Sequence, residues 1–370
     1  MSIERIDILH ALALMEAADG FSAVIDARSP GEFALDHLPH AVNWPSLNDD
    51  ERQQVGTQYK QISAFEARKQ GAAMVARNIA AHLDRHMRGL PREWKPLVYC
   101  WRGGQRSGAL ALVLSQIGFE VRVLQGGYRA FRQHVVSALE DAGAGLRFEV
   151  LCGKTGSGKS RLLQSLRAAG AQVLDLEGLA CHRGSVLGAL PHAPQPSQKR
   201  FETLLWKALR QFDVNRPVFV ESESRLVGQL RLPQRLLERV RSGRCWRVDM
   251  PDSARVALLS EDYAHLASNP HLLCDRLSGL RELRGAVTVQ AWCDLAHAGR
   301  IAELVEQLLH VHYDPIYMQS MAKNFLGFDQ ATPVTLPSGA QADLSAAAEQ
   351  LIQASSFSPS RFSPAVSPLA

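Results

Sequence analysis

Two short stretches of this 370-residue chain carry residue types and spacings suited to chemistry on anions. The first is Cys100 followed by Trp101, Arg102, Gly103, Gly104, Gln105, Arg106 and Ser107. Two adjacent glycines let a backbone curl so that successive N–H groups converge on one point. A helix starting just after them adds partial positive charge, and Arg102 and Arg106 add formal charge. Each effect lowers a thiol pKa from about 8.5, so Cys100 is the candidate nucleophile and residues 101–107 its anion cradle. A buried structural cysteine is the commoner fate of a lone Cys. Such a cysteine needs neither the double glycine nor the arginines.

The second stretch is Gly153, Lys154, Thr155, Gly156, Ser157, Gly158, Lys159 and Ser160, which satisfies the phosphate-loop pattern GxxxxGK[ST]. Backbone N–H groups of such a loop wrap a diphosphate, the lysine neutralises its terminal oxygens, and the serine hydroxyl suits Mg²⁺. A hydrolytic nucleoside triphosphatase usually holds Mg²⁺ with an aspartate at the end of a second apolar strand. Here the apolar run 217–220 leads instead into Glu221 and Glu223, with Asp175 and Glu177 as alternatives. The pattern predicts diphosphate binding and leaves ATP hydrolysis open.

Both loops need a strand before them and a helix after them. Apolar runs alternating with amphipathic patterns supply these and predict an α/β fold. Strands are expected at 22–26, 96–100 and 121–124, with a helix over 107–117. A second set is expected at 147–152, 173–176 and 217–220, with a helix over 161–169. Beyond Asp249 the pattern turns mainly helical. The expected domains are 1–140, then 147–328 with a helical extension, then 329–370, a C-terminal helix and a disordered Ser/Pro-rich tail.

Hydrophobic residues at 46% and charged residues at 21% exclude a wholly disordered or collagen-like chain. The net charge of +4 hides a local surplus. Arg225, Arg231, Arg235, Arg239, Arg241, Arg244 and Arg247 share their stretch with one acid, Glu238. They are candidate contacts to a nucleic-acid backbone, although a charge run is more often a solvated helix face. No stretch reaches the roughly 20 apolar residues of a membrane helix, and the N-terminus lacks a secretory pattern. Six scattered cysteines without a CxxC pair predict a reduced, cytoplasmic protein with no metal site. Histidines 182, 192, 265, 271 and 312 are read as structural or solvated.

Cys100 to Ser107 resembles the active-site loop of rhodanese domains. Asp26 to Phe33, Asp36 to Asn43 and Gly126 to Tyr128 are similar to other blocks of that family, with His40 standing where it usually has glycine. An N-terminal rhodanese-like parallel-sheet domain followed by a P-loop α/β domain resembles the tRNA 2-selenouridine synthase family. Stretches 48–52, 55–60, 182–185, 195–198, 221–225 and 312–317 are similar to it as well.

The resemblance implies a two-step change at the wobble 2-thiouridine of tRNAs such as those for Lys, Glu and Gln. The sulfur is geranylated from geranyl diphosphate held at the P-loop. Selenophosphate then supplies selenium through a perselenide on Cys100, while Asp26 and Arg28 support the fold. The implied co-substrates are geranyl diphosphate and selenophosphate, with no tightly bound cofactor and Mg²⁺ compatible with the diphosphate. The implied partners are the tRNA anticodon loop and the enzyme supplying selenophosphate, with no membrane. Trp101 or Tyr128 is placed to stack on the target base. An ATP-dependent sulfurtransferase, with Cys100 delivering sulfur to an acceptor activated at the P-loop, is the competing reading.

Overall fold

Short apolar runs bounded by polar or glycine residues form parallel strands in this chain, because helices cover both faces of each sheet. The computed structural model describes residues 3–190 and 193–356, so His192 and the tail beyond Ser356 lie outside the described residues. The chain divides into two compact units. One holds residues up to Glu140 together with Pro196–Thr203, and the other holds Asp141–Gln195 and the chain from Leu204 onward.

The first unit is built on β1 (Glu4–Ile6), β2 (Ala23–Asp26), β3 (Ala41–Asn43), β4 (Pro96–Tyr99) and β5 (Arg122–Leu124). They form one sheet in the order β1-β5-β4-β2-β3, and every pairing is parallel. All four residues of β4 are buried, as its central place requires. The helix Gln105–Ile117 packs Leu110, Ala111 and Leu114 onto Ile25, Val98 and Val123. It stops at Gly118, whose left-handed backbone (φ 116°) returns its N–H to the last turn. The stretch 48–52 opens the helix Asp49–Gln61 with a capping box, Asn48 accepting from the Glu51 N–H at 2.8 Å and Glu51 from the Asn48 N–H at 3.0 Å. His40 adopts φ 59°, a left-handed backbone that glycine takes freely and other residues take at a cost. This is the physical content of its departure from the rhodanese pattern.

The second unit carries β6 (Phe148–Cys152), β7 (Gln172–Leu174), β8 (Val218–Glu221), the small hairpin β9 (Leu226–Val227) and β10 (Leu230–Arg231), β11 (Arg244–Asp249) and β12 (Thr332–Thr335). Its main sheet runs β12-β11-β6-β8-β7, again all parallel. Helices between Asp252 and Asn324 form a further apolar cluster around Trp292, Leu277 and Leu304.

Two boundaries differ from the expected ones. Residues 329–356 are not a separate segment, because β12 pairs with β11. The helix Gln341–Ser356 also buries Leu344, Ala348 and Leu351 against Leu151, Leu163 and Trp246. Pro196–Thr203 packs with the first unit rather than the second. There Thr203 Oγ1 donates to Asp36 Oδ2 at 3.0 Å, and Arg132 pairs with Glu202. Among the described residues no helix is long and apolar enough to cross a membrane.

Candidate functional site

The cysteine loop leaves the carboxyl end of the central strand β4, where helix and loop backbones can converge on a ligand. Gly103 sits at φ 65°, and a Cβ there would lie 2.4 Å from the Leu124 carbonyl oxygen, so only glycine closes this turn. The Gly126–Tyr128 block locks the loop from outside, with the Tyr128 N–H donating to the Cys100 carbonyl at 2.8 Å. Cys100 is 3% exposed, and Ser107 Oγ donates to its sulfur at 3.2 Å. Burial raises the thiol pKa. The Ser107 hydroxyl, the N–H groups of Ser107 and Gly104 and the charge of Arg106 outweigh burial and hold the pKa below its ordinary value.

The cradle residues divide by role. Arg106 is tied to Glu32 at 2.9 Å, and the same carboxylate takes Arg52 at 3.0 Å, so its guanidinium is fixed beside the loop. Trp101, Arg102, Gly104 and Gln105 are exposed, whereas Gly103 and Ser107 are buried. Of the two aromatic candidates for base stacking, only Trp101 is open to a ligand. Tyr128 is 1% exposed, donates to Asp36 Oδ2 at 2.8 Å and lies under the Arg28 guanidinium at 3.8 Å. Arg28 is in turn paired with Asp26 in the core, so these two residues hold β2 to the loops around it.

In the second unit β6 runs into the loop 153–158, and the helix Lys159–Ala168 starts with Gly158 as its left-handed N-cap. Lys159 Nζ donates to the carbonyls of Gly153 and Lys154 and lies 5.5 Å from the Tyr317 ring centre. Burial lowers its pKa, and Glu177 and Glu223 pull it back up. Ser160 Oγ donates to Glu177 Oε2 at 2.8 Å, and Glu221 Oε1 accepts from the Glu177 N–H at 2.8 Å.

Burial, with the charges of Asp175, Glu177 and Glu223 added, holds the Glu221 carboxyl well above the usual range. Its Oε2 is buried without a hydrogen-bond partner. Burial and the neighbouring Glu177 push Glu223 up to about 7. Carboxyls crowded and raised in this way are prepared for a cation. The structure brings Glu221, Glu223 and Glu177 to the phosphate loop. Asp175 instead caps the helix Leu176–Ala180, accepting from the Gly178 N–H at 2.7 Å. Among the described residues no three His, Cys, Asp or Glu side chains are arranged to hold a metal alone.

Three further residues brace the phosphate loop from distant sequence. Arg255, 1% exposed, donates to the Thr155 carbonyl at 3.0 and 2.8 Å and pairs with Asp314 at 2.6 Å. Asp314 also meets Lys154 at 3.3 Å, and the Tyr317 hydroxyl accepts from the Gly153 N–H. The stretch 312–317 thus shapes the loop rather than flanking it. Arg255 escaped the sequence reading, and its one signal was a charge amid Val256, Leu258 and Leu259 on a helix. A cavity of about 530 Å³ opens over the loop, walled by Lys159, Glu177, Arg183, Glu223, Tyr263 and Tyr317.

The arginine-rich stretch is not one helix face. It spans the β9–β10 hairpin, the helix Gln234–Arg241 and β11. Arg239 pairs with Asp141 at 2.5 Å, Arg235 with Glu238 at 3.4 Å and Arg247 with Asp249 at 3.0 Å. Arg244 lies over the Trp246 ring at 4.1 Å. Arg225 and Arg231 are exposed, and Arg241 is half-buried. Arg235, Arg239, Arg244 and Arg247 are therefore engaged with neighbours in their own unit. His312 receives a hydrogen bond from Arg284 at 3.1 Å, and His271 packs edge-on against His297.

The family model described as the tRNA 2-selenouridine synthase AAA domain matches residues 146–287, and the rhodanese-like domain model matches residues 10–134. A protein of Nitrosomonas europaea named tRNA 2-selenouridine synthase is 37% identical over 262 residues, 70% of this chain and 66% of its own length. A protein of Aeromonas salmonicida with the same name is 37% identical over 65% of each chain. The match therefore spans just under two thirds of these two relatives. A protein of Alcanivorax borkumensis, again so named, is 32% identical over 80% of this chain and 88% of its own length. With a rhodanese-like domain followed by a phosphate-loop domain, and with this coverage of the Alcanivorax relative, the chain belongs to the tRNA 2-selenouridine synthase family.

Proposed function

We propose that this protein converts 2-thiouridine to 2-selenouridine at the wobble position of tRNA. The observation that carries the reading is a pair of anion cradles of different chemistry: an acidified thiol in one, a half-buried lysine in the other. Geranyl diphosphate sits with its diphosphate in the loop 153–160. The thiocarbonyl sulfur attacks the allylic carbon, the C–O bond breaks, and diphosphate leaves as the base loses its N3 proton. Lys159 swings from its own loop carbonyls onto the leaving oxygens, where it stabilises the developing charge. Mg²⁺ carried with the diphosphate would add neutralising charge, and Ser160 with the Glu177 and Glu221 carboxyls would be the groups to hold it.

Selenium then replaces the geranylthio group at C2 through Cys100. A perselenide holds selenium two electrons above its level in selenophosphate. Release of the product from a Cys100–selenium–C2 link returns those electrons. One small thiol cycling between its free form and a mixed disulfide on Cys100 closes that balance. Exposed Trp101 offers a stacking face to the extruded base. The exposed arginines of the basic stretch, Arg225 among them, are the candidate contacts to tRNA phosphates.

The test uses purified protein and a 2-thiouridine tRNA. Cys100→Ala is expected to abolish selenium incorporation while S-geranylated tRNA accumulates, and Lys159→Ala to block geranylation. Loss of both steps in Cys100→Ala would sink this division of labour. ATP turnover with no consumption of geranyl diphosphate would favour the sulfurtransferase reading instead.

A further inference from the structure

The helix Asp49–Gln61 of the first unit carries a glycine that nothing within the protein requires. Gly56 lies in its interior, where glycine costs stability relative to any ordinary helix former. Its backbone is right-handed helix, so no turn calls for it. It is exposed, and among the described residues a Cβ there would meet no neighbouring group within 4 Å. Gly71 on the facing helix Ala64–His86 is different. A Cβ there would press on Val55 at 3.3 Å, so that glycine lets the two helices close. A glycine with open space above it suits a molecule arriving from outside, because a bare backbone permits the closest approach.

The surrounding residues indicate the kind of molecule. Arg52 stands about one turn before Gly56 and Lys60 about one turn after it, both exposed, some 12 Å apart along the helix axis. From Arg52 to Gln61 the helix carries no acid. Its earlier acids Asp49 and Glu51 are occupied, the first by the Gly31 N–H and the second by Asn48 and Asn78. Gln53 and Thr57 flank Gly56 with uncharged hydrogen-bonding groups and line a groove of about 480 Å³. Gln58 lines it too, and its Oε1 is buried without a hydrogen-bond partner. Beside Lys60 the Tyr59 ring is half exposed, with Arg68 at 5.9 Å from its centre.

Two cations on either side of a bare backbone, with amides and a hydroxyl beside them, match the phosphates and ribose hydroxyls of an RNA strand. The same helix is tied to the cysteine loop at its start. Arg52 shares Glu32 with Arg106, and Ser46 Oγ donates to the Arg106 carbonyl at 3.2 Å while its own carbonyl accepts from Asn78. We infer that an RNA strand of the tRNA substrate crosses the first unit here, its sugar–phosphate backbone lying on Gly56 between Arg52 and Lys60. The inference rests on tRNA as the substrate. It adds a positioning surface about 6 Å along the helix from the arginine that shares Glu32 with the cysteine loop.

Equilibrium binding of a 2-thiouridine tRNA to the full-length chain, measured over a range of salt concentrations, tests this. Gly56→Gln places a side chain in the path of the strand and is expected to weaken binding at least about tenfold. Thermal stability is expected to rise in the same variant, because glutamine is the better helix former. Lost affinity in a more stable protein is a result that a structural glycine does not give. Lys60→Gln is expected to weaken binding and to flatten the slope of log K against log salt by about 0.7, the share of one phosphate contact on a single strand. It decides the matter if Gly56→Gln fails to fold. Wild-type affinity in Gly56→Gln overturns the assignment and leaves this face to a protein partner, and so does an unchanged salt slope in Lys60→Gln. A wild-type chain that does not bind tRNA removes the substrate reading beneath it.

Discussion

Ser107 decides how reactive Cys100 is at neutral pH. Its hydroxyl and its N–H both favour the thiolate, against burial, which favours the thiol. A group that stabilises the charged form lowers an acid's pKa, so removing it raises that pKa and thins the thiolate at any pH below it. A hydrogen bond to a charged acceptor is worth about 1.5 kcal/mol or more, close to a tenfold change in equilibrium. Ser107→Ala is therefore expected to slow alkylation of Cys100 by iodoacetamide about tenfold at neutral pH and to shift the rate–pH curve to higher pH. An unchanged curve would show that Ser107 only packs. At this scale the loop was legible in sequence because cysteine, glycines and arginines are contiguous. The braces of the phosphate loop were not, since Arg255 reaches Thr155 across 100 residues and Tyr317 reaches Gly153 across 164.

Strands and helices were legible where burial was continuous. β4 and β6 are buried at every position, and an unbroken apolar run is the signature of a central parallel strand. β11 hid in the arginine stretch because its exposed Arg244 and Arg247 draw attention from buried Cys245, Trp246 and Val248. From Trp246 to Asp249 buried and exposed residues alternate with a period of two, the mark of a strand. β1 and β3 are three residues each and partly exposed, too short for any pattern to stand out. β12 was lost for a related reason and carries a consequence for stability. Val334, Leu336, Leu344 and Leu351 are each at most 2% exposed, and burial of such side chains is worth roughly 2 kcal/mol apiece. Their sum rivals the whole stability of a domain. Truncation after Gln330 is expected to abolish cooperative thermal unfolding of the second unit followed by circular dichroism. A truncated chain that still unfolds cooperatively near the intact midpoint would show that β12 and the last helix are accessories.

The whole molecule joins two ways of holding an anion. In the first unit a parallel sheet delivers a thiol into a nest of N–H groups. In the second a parallel sheet delivers a glycine loop, a half-buried lysine and three crowded carboxyls to one cavity. Domain order and both loops could be read from the sequence, since each motif is local and lies between a strand and a helix. An apolar pocket beside that cavity could not, because its walls come from the phosphate loop, the turn at Ser185–Leu187 and helices between Leu259 and Tyr313 whose leucines look like ordinary core. The net charge of +4 described neither unit, and the arginines that suggested a tRNA track turned out to be shared among a hairpin, a helix and a strand. The central claim is the conversion of wobble 2-thiouridine to 2-selenouridine. Mass spectrometry of tRNA nucleosides from cells with and without this chain tests it most directly. Loss of 2-selenouridine with 2-thiouridine retained is the expected result, and 2-selenouridine persisting at its normal level in cells lacking the chain would contradict it.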